Sequence, residues 1–233
     1  MGADINQVAK GIGLDSRIGS QFLQAGIGWG GSCFPKDVSA LIHIASDYGC
    51  DAQLLQATVS INQRQRLLAV EKLQQVLKIL KGKTIGLLGL TFKPNTDDLR
   101  DAPALDLIEQ LSRLGAKVKA YDPIVTSIGM PFIPASVTLA TTPEQLAQDC
   151  DALVLVTDWQ QFQQLDYAKL ASRMTTPVIV DGRNCLNPQV LAEAGFYYIG
   201  IGRPTAANTL LEKRLQGNVP GVLVRSAQVV QVA

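Results

Sequence analysis

The sequence predicts an α/β protein in which a helical region is followed by a doubly wound parallel sheet. Two observations carry this. Up to Leu80 the chain reads as helices joined by a glycine-rich connection, the last helix carrying apolar Leu73, Val76, Leu77 and Leu80 at i, i+3, i+4 and i+7. From Lys83 onward, short β-rich runs alternate with helical stretches. The runs Ile85-Gly86-Leu87-Leu88 and Ala152-Leu153-Val154-Leu155-Val156 are nearly all apolar, as strands buried on both faces should be.

Taken in order, residues 3–12 read as a short helix and 13–36 as a glycine-rich connection. Residues 38–48 form a second helix, with Asp37 placed to N-cap it and Gly49 to close it. A longer helix spans 51–80, with Gly82 as its C-terminal cap. Strands follow at 84–88, 117–121, 137–139, 152–157, 177–181 and 196–199, with helices at 101–115, 143–149, 166–173 and 188–194 between them. Asp101 and Pro103 supply a cap and a compatible first turn for the first of these helices. This half is Rossmann-like in architecture. The expected division is therefore a helical region at 1–82, a sheet domain at 83–204 and a flexible tail at 205–233, a short helix near Leu210 to Leu215 being the less favoured reading of that tail.

Composition narrows the function. A net charge of +1 argues against binding that relies on a strongly basic surface, such as non-specific nucleic-acid binding. Four cysteines without a CxxC pair, and one histidine, give neither a zinc pattern nor a disulfide framework. They fit a reducing compartment. His43 lies off the apolar face of its helix and reads as an ordinary semi-exposed histidine. No basic-then-apolar leader and no apolar run of membrane-spanning length occur, so a cytoplasmic protein is expected.

Chemistry concentrates in Gly26-Ile27-Gly28-Trp29-Gly30-Gly31-Ser32-Cys33-Phe34-Pro35-Lys36-Asp37. The glycines let backbone close tightly around a ligand, and Cys33 follows them directly. A candidate nucleophile, a cation and a carboxylate thus share one loop-to-helix junction. Each has a plainer reading: a packing cysteine, a solvated Lys36, a capping Asp37. Four glycines in six residues exceed what a turn needs, and the constellation favours chemistry at Cys33. The run is not a dinucleotide fingerprint, because no strand precedes it. Nor does the first strand of the sheet supply one, since Leu88 stands where the second glycine of Gly-x-Gly-x-x-Gly is needed for backbone to approach a pyrophosphate.

The cysteine segment resembles the active-site segment of the UDP-glucose 6-dehydrogenases. The likeness continues in Gly13-Leu14-Asp15-Ser16-Arg17-Ile18-Gly19 and Gly89-Leu90-Thr91-Phe92-Lys93-Pro94. It extends through Asp97-Asp98-Leu99-Arg100, Tyr121-Asp122-Pro123, Thr157-Asp158-Trp159 and Asp181-Gly182-Arg183, so that it spans about residues 2–204. It implies NAD-dependent oxidation of the C6 alcohol of UDP-glucose to a carboxylate, with two NAD+ reduced per sugar. Cys33 would be the nucleophile, passing through a thiohemiacetal and a thioester. Lys36 would favour its thiolate, and Asp37 would assist the hydrolytic water.

The resemblance further implies that Phe22, Leu23, Trp29 and Gly30 enclose the sugar nucleotide, and that Phe92, Lys93 and Arg183 reach it from strand ends. Arg100 would extend toward NAD, its plainer reading being a loop salt bridge to Asp97 or Asp98. Arg17 would enter a neighbouring subunit's site, which implies a homodimer. No metal is implied. The NAD-binding domain of this family and three further catalytic groups would precede Met1, so this chain by itself is expected to be inactive. Phe34 matches the UDP-glucose enzymes, where GDP-mannose relatives carry leucine. Two alternatives remain: a non-catalytic UDP-sugar-binding or dimerisation fragment, and a dehydrogenase for another nucleotide sugar such as GDP-mannose.

Overall fold

Apolar side chains alternate between the two faces of each central strand, and this decides the layering. In a computed structural model describing residues 2–126 and 132–207, the strands are β1 (Thr84–Leu88), β2 (Lys117–Tyr121), β3 (Thr138–Leu139), β4 (Ala152–Leu155), β5 (Val178–Asp181), β6 (Tyr197–Gly200) and β7 (Ala206–Ala207). Their order is β3-β2-β1-β4-β5-β6-β7. The first six pair in parallel, and β7 adds an antiparallel edge to β6. The order reverses between β1 and β4, as in dinucleotide-type doubly wound folds.

Ile85, Leu87, Val154 and Val180 join one buried cluster. Leu88, Leu153, Leu155 and Ile179 join the other. The first face is covered by α3 (Gln53–Leu77) and α4 (Pro103–Arg113), through Ala69 and Leu73 of α3 and Leu107 and Leu111 of α4. The second is covered by α5 (Pro143–Ala147), α6 (Tyr167–Arg173) and α7 (Pro188–Glu193), together with a 3-10 turn at Gln160–Gln164. Both faces are therefore dry, as the apolar runs required.

The remaining helices, α1 (Ile5–Gly13) and α2 (Phe34–Asp47), contain no buried residue. They expose Val8, Ile12, Leu41 and Ile44, and the first half of α3 exposes Leu54 and Ile61. Among the described residues, no helix is long and apolar enough to cross a membrane. The start of α1 is tied to the loop after β6, where the Ile5 N–H donates to the Gly202 carbonyl at 2.8 Å. Arg203 Nε approaches Asp4 there at 3.4 Å.

Three capping expectations are corrected. The second helix starts at Phe34 rather than 38, with Cys33 as N-cap, so Asp37 lies in its first turn. Pro35 tolerates that turn because a first-turn N–H has no intrahelical acceptor. The long helix ends at Leu77, with Lys78 in the left-handed region at φ 63°. Gly82 belongs instead to the turn before β1, where its N–H donates to Gly115. The cap of α4 is Ala102 and makes no side-chain bond. Asp101, at φ 52°, gives its carboxylate to Arg66 instead. Strand and helix positions otherwise follow the sequence expectation to within a few residues. Of the tail expected at 205–233, Ala206–Ala207 pair with β6 as β7, and the residues from 208 onward, including the short helix near Leu210 to Leu215, lie outside the described residues.

Candidate functional site

The glycine segment is a strap drawn across the junction of α3, the β5 end and the loop before α4. Gln65 Nε2 donates to the Gly26 carbonyl at 2.8 Å, and the Ile27 N–H donates to Gly182 at 3.0 Å. Arg183 Nη1 donates to the Gly28 carbonyl at 2.9 Å. The Trp29 peptide is held at both ends by Asn62, whose Oδ1 accepts its N–H at 2.9 Å and whose Nδ2 donates to its carbonyl at 3.1 Å. Arg66 Nη2 donates to the same carbonyl at 2.6 Å. The Gly31 N–H closes the run on the Arg100 carbonyl at 3.1 Å.

This spacing explains the glycines. A Cβ on Gly28 would lie 2.5 Å from Asn62 Oδ1, and one on Gly30 would lie 2.0 Å from the Asp101 carbonyl oxygen. One on Gly31 would meet the Phe92 ring at 2.8 Å. At these three positions the close approach is to protein groups.

Beyond the strap, Cys33 caps α2 and is exposed. Ser32 Oγ lies 3.7 Å from its sulfur. Lys36 and Asp37 pair at 3.4 Å and remain largely open to solvent. Arg100 pairs with Asp98 at 2.9 Å, the salt bridge that was the plainer reading of this arginine. That hydrogen bond raises the Arg100 pKa further. The same contact holds the Asp98 carboxyl below its ordinary value. Trp29 meets Phe34 edge-on at 5.3 Å between centroids, and Lys93 Nζ sits 5.2 Å from the centre of the Phe92 ring. The structure thus gathers Trp29, Gly30, Phe92, Cys33 and Arg100 along one strap.

Other candidates stand apart. Arg17 turns onto Asp15 at 2.6 Å and is 88% exposed. Phe22 is 95% exposed at φ 62°, and half-buried Leu23 lies close to Gly13. Arg183 spends Nε on the Val156 carbonyl at 2.7 Å and Nη1 on the strap, and burial lowers its pKa. His43 is exposed and lies 3.8 Å from Asp47.

Sequence reading missed Asn62, Gln65 and Arg66. Asn62 and Arg66 sit four apart on the buried stripe that continues through Ala69, Val70 and Leu73. Two polar residues on an otherwise apolar stripe were the available signal.

At the sheet's switch point the residues do not fit a dinucleotide. Leu88 is fully buried. Asp122, the acid after β2 where such folds read a ribose, is 3% exposed. It accepts from the N–H groups of Leu90, Ile124 and Val125, and from Trp159 Nε1 at 3.3 Å. Among the described residues, no His, Cys, Asp and Glu group could hold a metal.

The four thiols divide sharply. Burial pushes Cys150 up to about 11 and Cys185 up to about 12, whereas Cys33 and Cys50 are exposed. A raised pKa leaves the unreactive thiol in place, so iodoacetamide at about pH 8 should label Cys33 and Cys50 but spare the other two until the protein unfolds. Peptide mapping by mass spectrometry checks this, and early labelling of Cys150 or Cys185 would contradict the packing described.

Fold and site together define a doubly wound parallel sheet joined to a helical segment that presents a cysteine. Residues 1–64 match the central domain, and residues 86–188 the UDP binding domain, of the UDP-glucose/GDP-mannose dehydrogenase family. The chain belongs to that family. It is 46% identical over 209 residues to UDP-glucose 6-dehydrogenase TuaD of Bacillus subtilis, matching 90% of this chain and 45% of that protein. It is 47% identical over 213 residues to a Pseudomonas aeruginosa UDP-glucose 6-dehydrogenase, with 89% and 47% covered. A UDP-glucose dehydrogenase structure from Pyrobaculum islandicum superposes with a TM-score of 0.77 at 33% identity, covering 87% of this chain and 44% of that one. The chain spans about half the length of the relatives it matches.

Proposed function

We propose that this chain carries the cysteine centre and the sugar-nucleotide sheet of an NAD-dependent UDP-glucose 6-dehydrogenase, making UDP-glucuronate for polysaccharide biosynthesis in the cytoplasm. The observation that carries the reading is Cys33 at the head of α2, joined by the strap to a sheet matching the UDP binding domain. Cys33 stands at the N-terminal, positive end of α2, and the Arg100 loop is tied to the strap beside it by the Gly31 bond. The thiolate adds to the C6 aldehyde to give a thiohemiacetal, and the second oxidation leaves a thioester. Asp37 takes a proton from the water that cleaves this ester, releasing the carboxylate and the thiol. NAD+ supplies the oxidant, two per sugar. The sheet is not its site, and Arg100 is the residue here that would approach it.

Phe92, Lys93 and the Nη2 group of Arg183, which makes no hydrogen bond among the described residues, would contact the sugar nucleotide. Arg17 would serve a second copy, and the exposed apolar residues of α1, α2 and α3 support a homodimer. The functional division would fall at 82/83. Calorimetry with UDP-glucose and GDP-mannose tests the substrate assignment. UDP-glucose should bind, weakly in this chain, and more tightly than GDP-mannose. Equal or tighter GDP-mannose binding would overturn the assignment while leaving the reaction class intact.

A further inference from the structure

The strap and the Arg100 loop flank Cys33, and one buried side chain holds both. Arg66 is 7% exposed. Its Nη2 reaches the Trp29 carbonyl at 2.6 Å and Asp101 Oδ2 at 2.8 Å, and its Nη1 reaches Asp101 Oδ1 at 2.8 Å and Asp106 Oδ2 at 2.7 Å. Burial opposes its charge, and the two carboxylates more than offset that. Among the described residues, Nε has no hydrogen-bond partner. A buried arginine with an unsatisfied nitrogen is a poor choice if stability alone matters, because an apolar residue of similar size would cost less. What an apolar residue cannot do is tie a carbonyl to two carboxylates from different elements. Asn62 completes the grip by reading both the N–H and the carbonyl of the Trp29 peptide.

We propose that Asn62 and Arg66 are positioning residues for Cys33, fixing the strap that ends in the cysteine and the Asp101 loop that carries Arg100 as a single unit. The proposal rests on the reading of Cys33 as the reactive centre. Three links connect the pair to the sulfur. The Trp29 peptide lies four residues before Cys33, and the Trp29 indole packs edge-on against Phe34, the residue after it. The Gly31 N–H bonds the Arg100 carbonyl, so strap and loop move together. Asp101, which Arg66 grips with two nitrogens, is the residue following Arg100. Releasing the clamp would uncouple sulfur and cation while leaving both present.

The test uses the chain itself, with two readouts. Fluorotryptophan labelling gives one fluorine NMR signal for Trp29 and one for Trp159, assigned with Trp29→Phe and Trp159→Phe. Iodoacetamide labelling gives the rate at Cys33 against exposed Cys50 as internal reference. In Asn62→Leu and Arg66→Met, the Trp29 signal should move and the Trp159 signal should stay. The Cys33 rate at neutral pH should fall about fivefold as the sulfur loses its fixed place beside the Arg100 loop, with Cys50 unchanged. Arg66→Lys should also be slow, because one ammonium cannot hold the carbonyl and both carboxylates. If the apolar variants fail to fold, Arg66→Lys and Asn62→Asp carry the test, the latter keeping the acceptor for the Trp29 N–H and losing the donor to its carbonyl. A folded variant with both Trp signals and the Cys33 rate unchanged would overturn the proposal alone. A wild-type Cys33 no faster than Cys50 would overturn both the proposal and the reading beneath it.

Discussion

Cys33→Ala in a full-length enzyme carrying this sequence is expected to abolish turnover, with a loss on the order of ten-thousandfold or more. The size follows from the role proposed for Cys33. Oxidation of the C6 alcohol to the acid needs a covalent hold on the aldehyde, and without the thiol neither the thiohemiacetal nor the thioester forms. Binding should survive, since the residues proposed to contact the sugar nucleotide are untouched. Cys50→Ser, Cys150→Ala and Cys185→Ala should retain activity. Cys150 is buried, with its thiol donating to the Leu146 carbonyl at 3.0 Å, and Cys185 is partly buried in the same cluster. The assay is NADH formation from UDP-glucose. Undiminished turnover by Cys33→Ala would end the mechanism proposed above.

The second large effect concerns the fold. Gly30→Ala should destabilise the protein by about 3 kcal/mol or more, at the upper end of what overpacking costs. Its Cβ would lie 2.0 Å from the Asp101 carbonyl oxygen and 3.1 Å from Pro103 Cδ. Backbone on one side and a proline ring on the other leave nothing that can swing away. Relief requires moving the strap, which breaks the Gly31 bond to Arg100 and strains the Asn62 and Arg66 contacts. For a chain of this size the melting temperature should fall by about 6–12 °C. Gly11→Ala is the control: it sits inside α1 with nothing within 4 Å of its Cβ, and should be neutral or slightly stabilising. Similar melting temperatures for the two variants would contradict the strap geometry.

Those contacts mark where reading the sequence stops. The strands were legible because runs such as Ala152 to Leu155 need no partner to declare burial on both faces. The cysteine segment was legible as a site, since nucleophile, cation and carboxylate are neighbours in the chain. What the glycines pack against was not, because their partners are remote: Asn62 lies 33 residues from Trp29, and Arg183 lies 155 residues from Gly28. The cap assignments failed for a related reason. Asp37 and Asp101 have the right chemistry for caps and stand beside helix starts. Pro35 and its neighbours carry α2 back to Phe34, and tertiary pairing with Arg66 takes Asp101 away from α4. Local propensity yielded to a distant partner.

The burial of Asp122 bears on how this sheet could change its ligand. An engineer wishing to turn it into a dinucleotide reader would naturally begin by restoring glycine at 88. That edit alone would be futile, and harmful, because Leu88 is core. The acid a ribose would need is present after β2, but it already holds the turn after β1, the start of the next loop and the Trp159 indole. Freeing it would leave several buried donors orphaned at once. A route to dinucleotide binding is therefore closed by a knot of hydrogen bonds, and single substitutions cannot untie it.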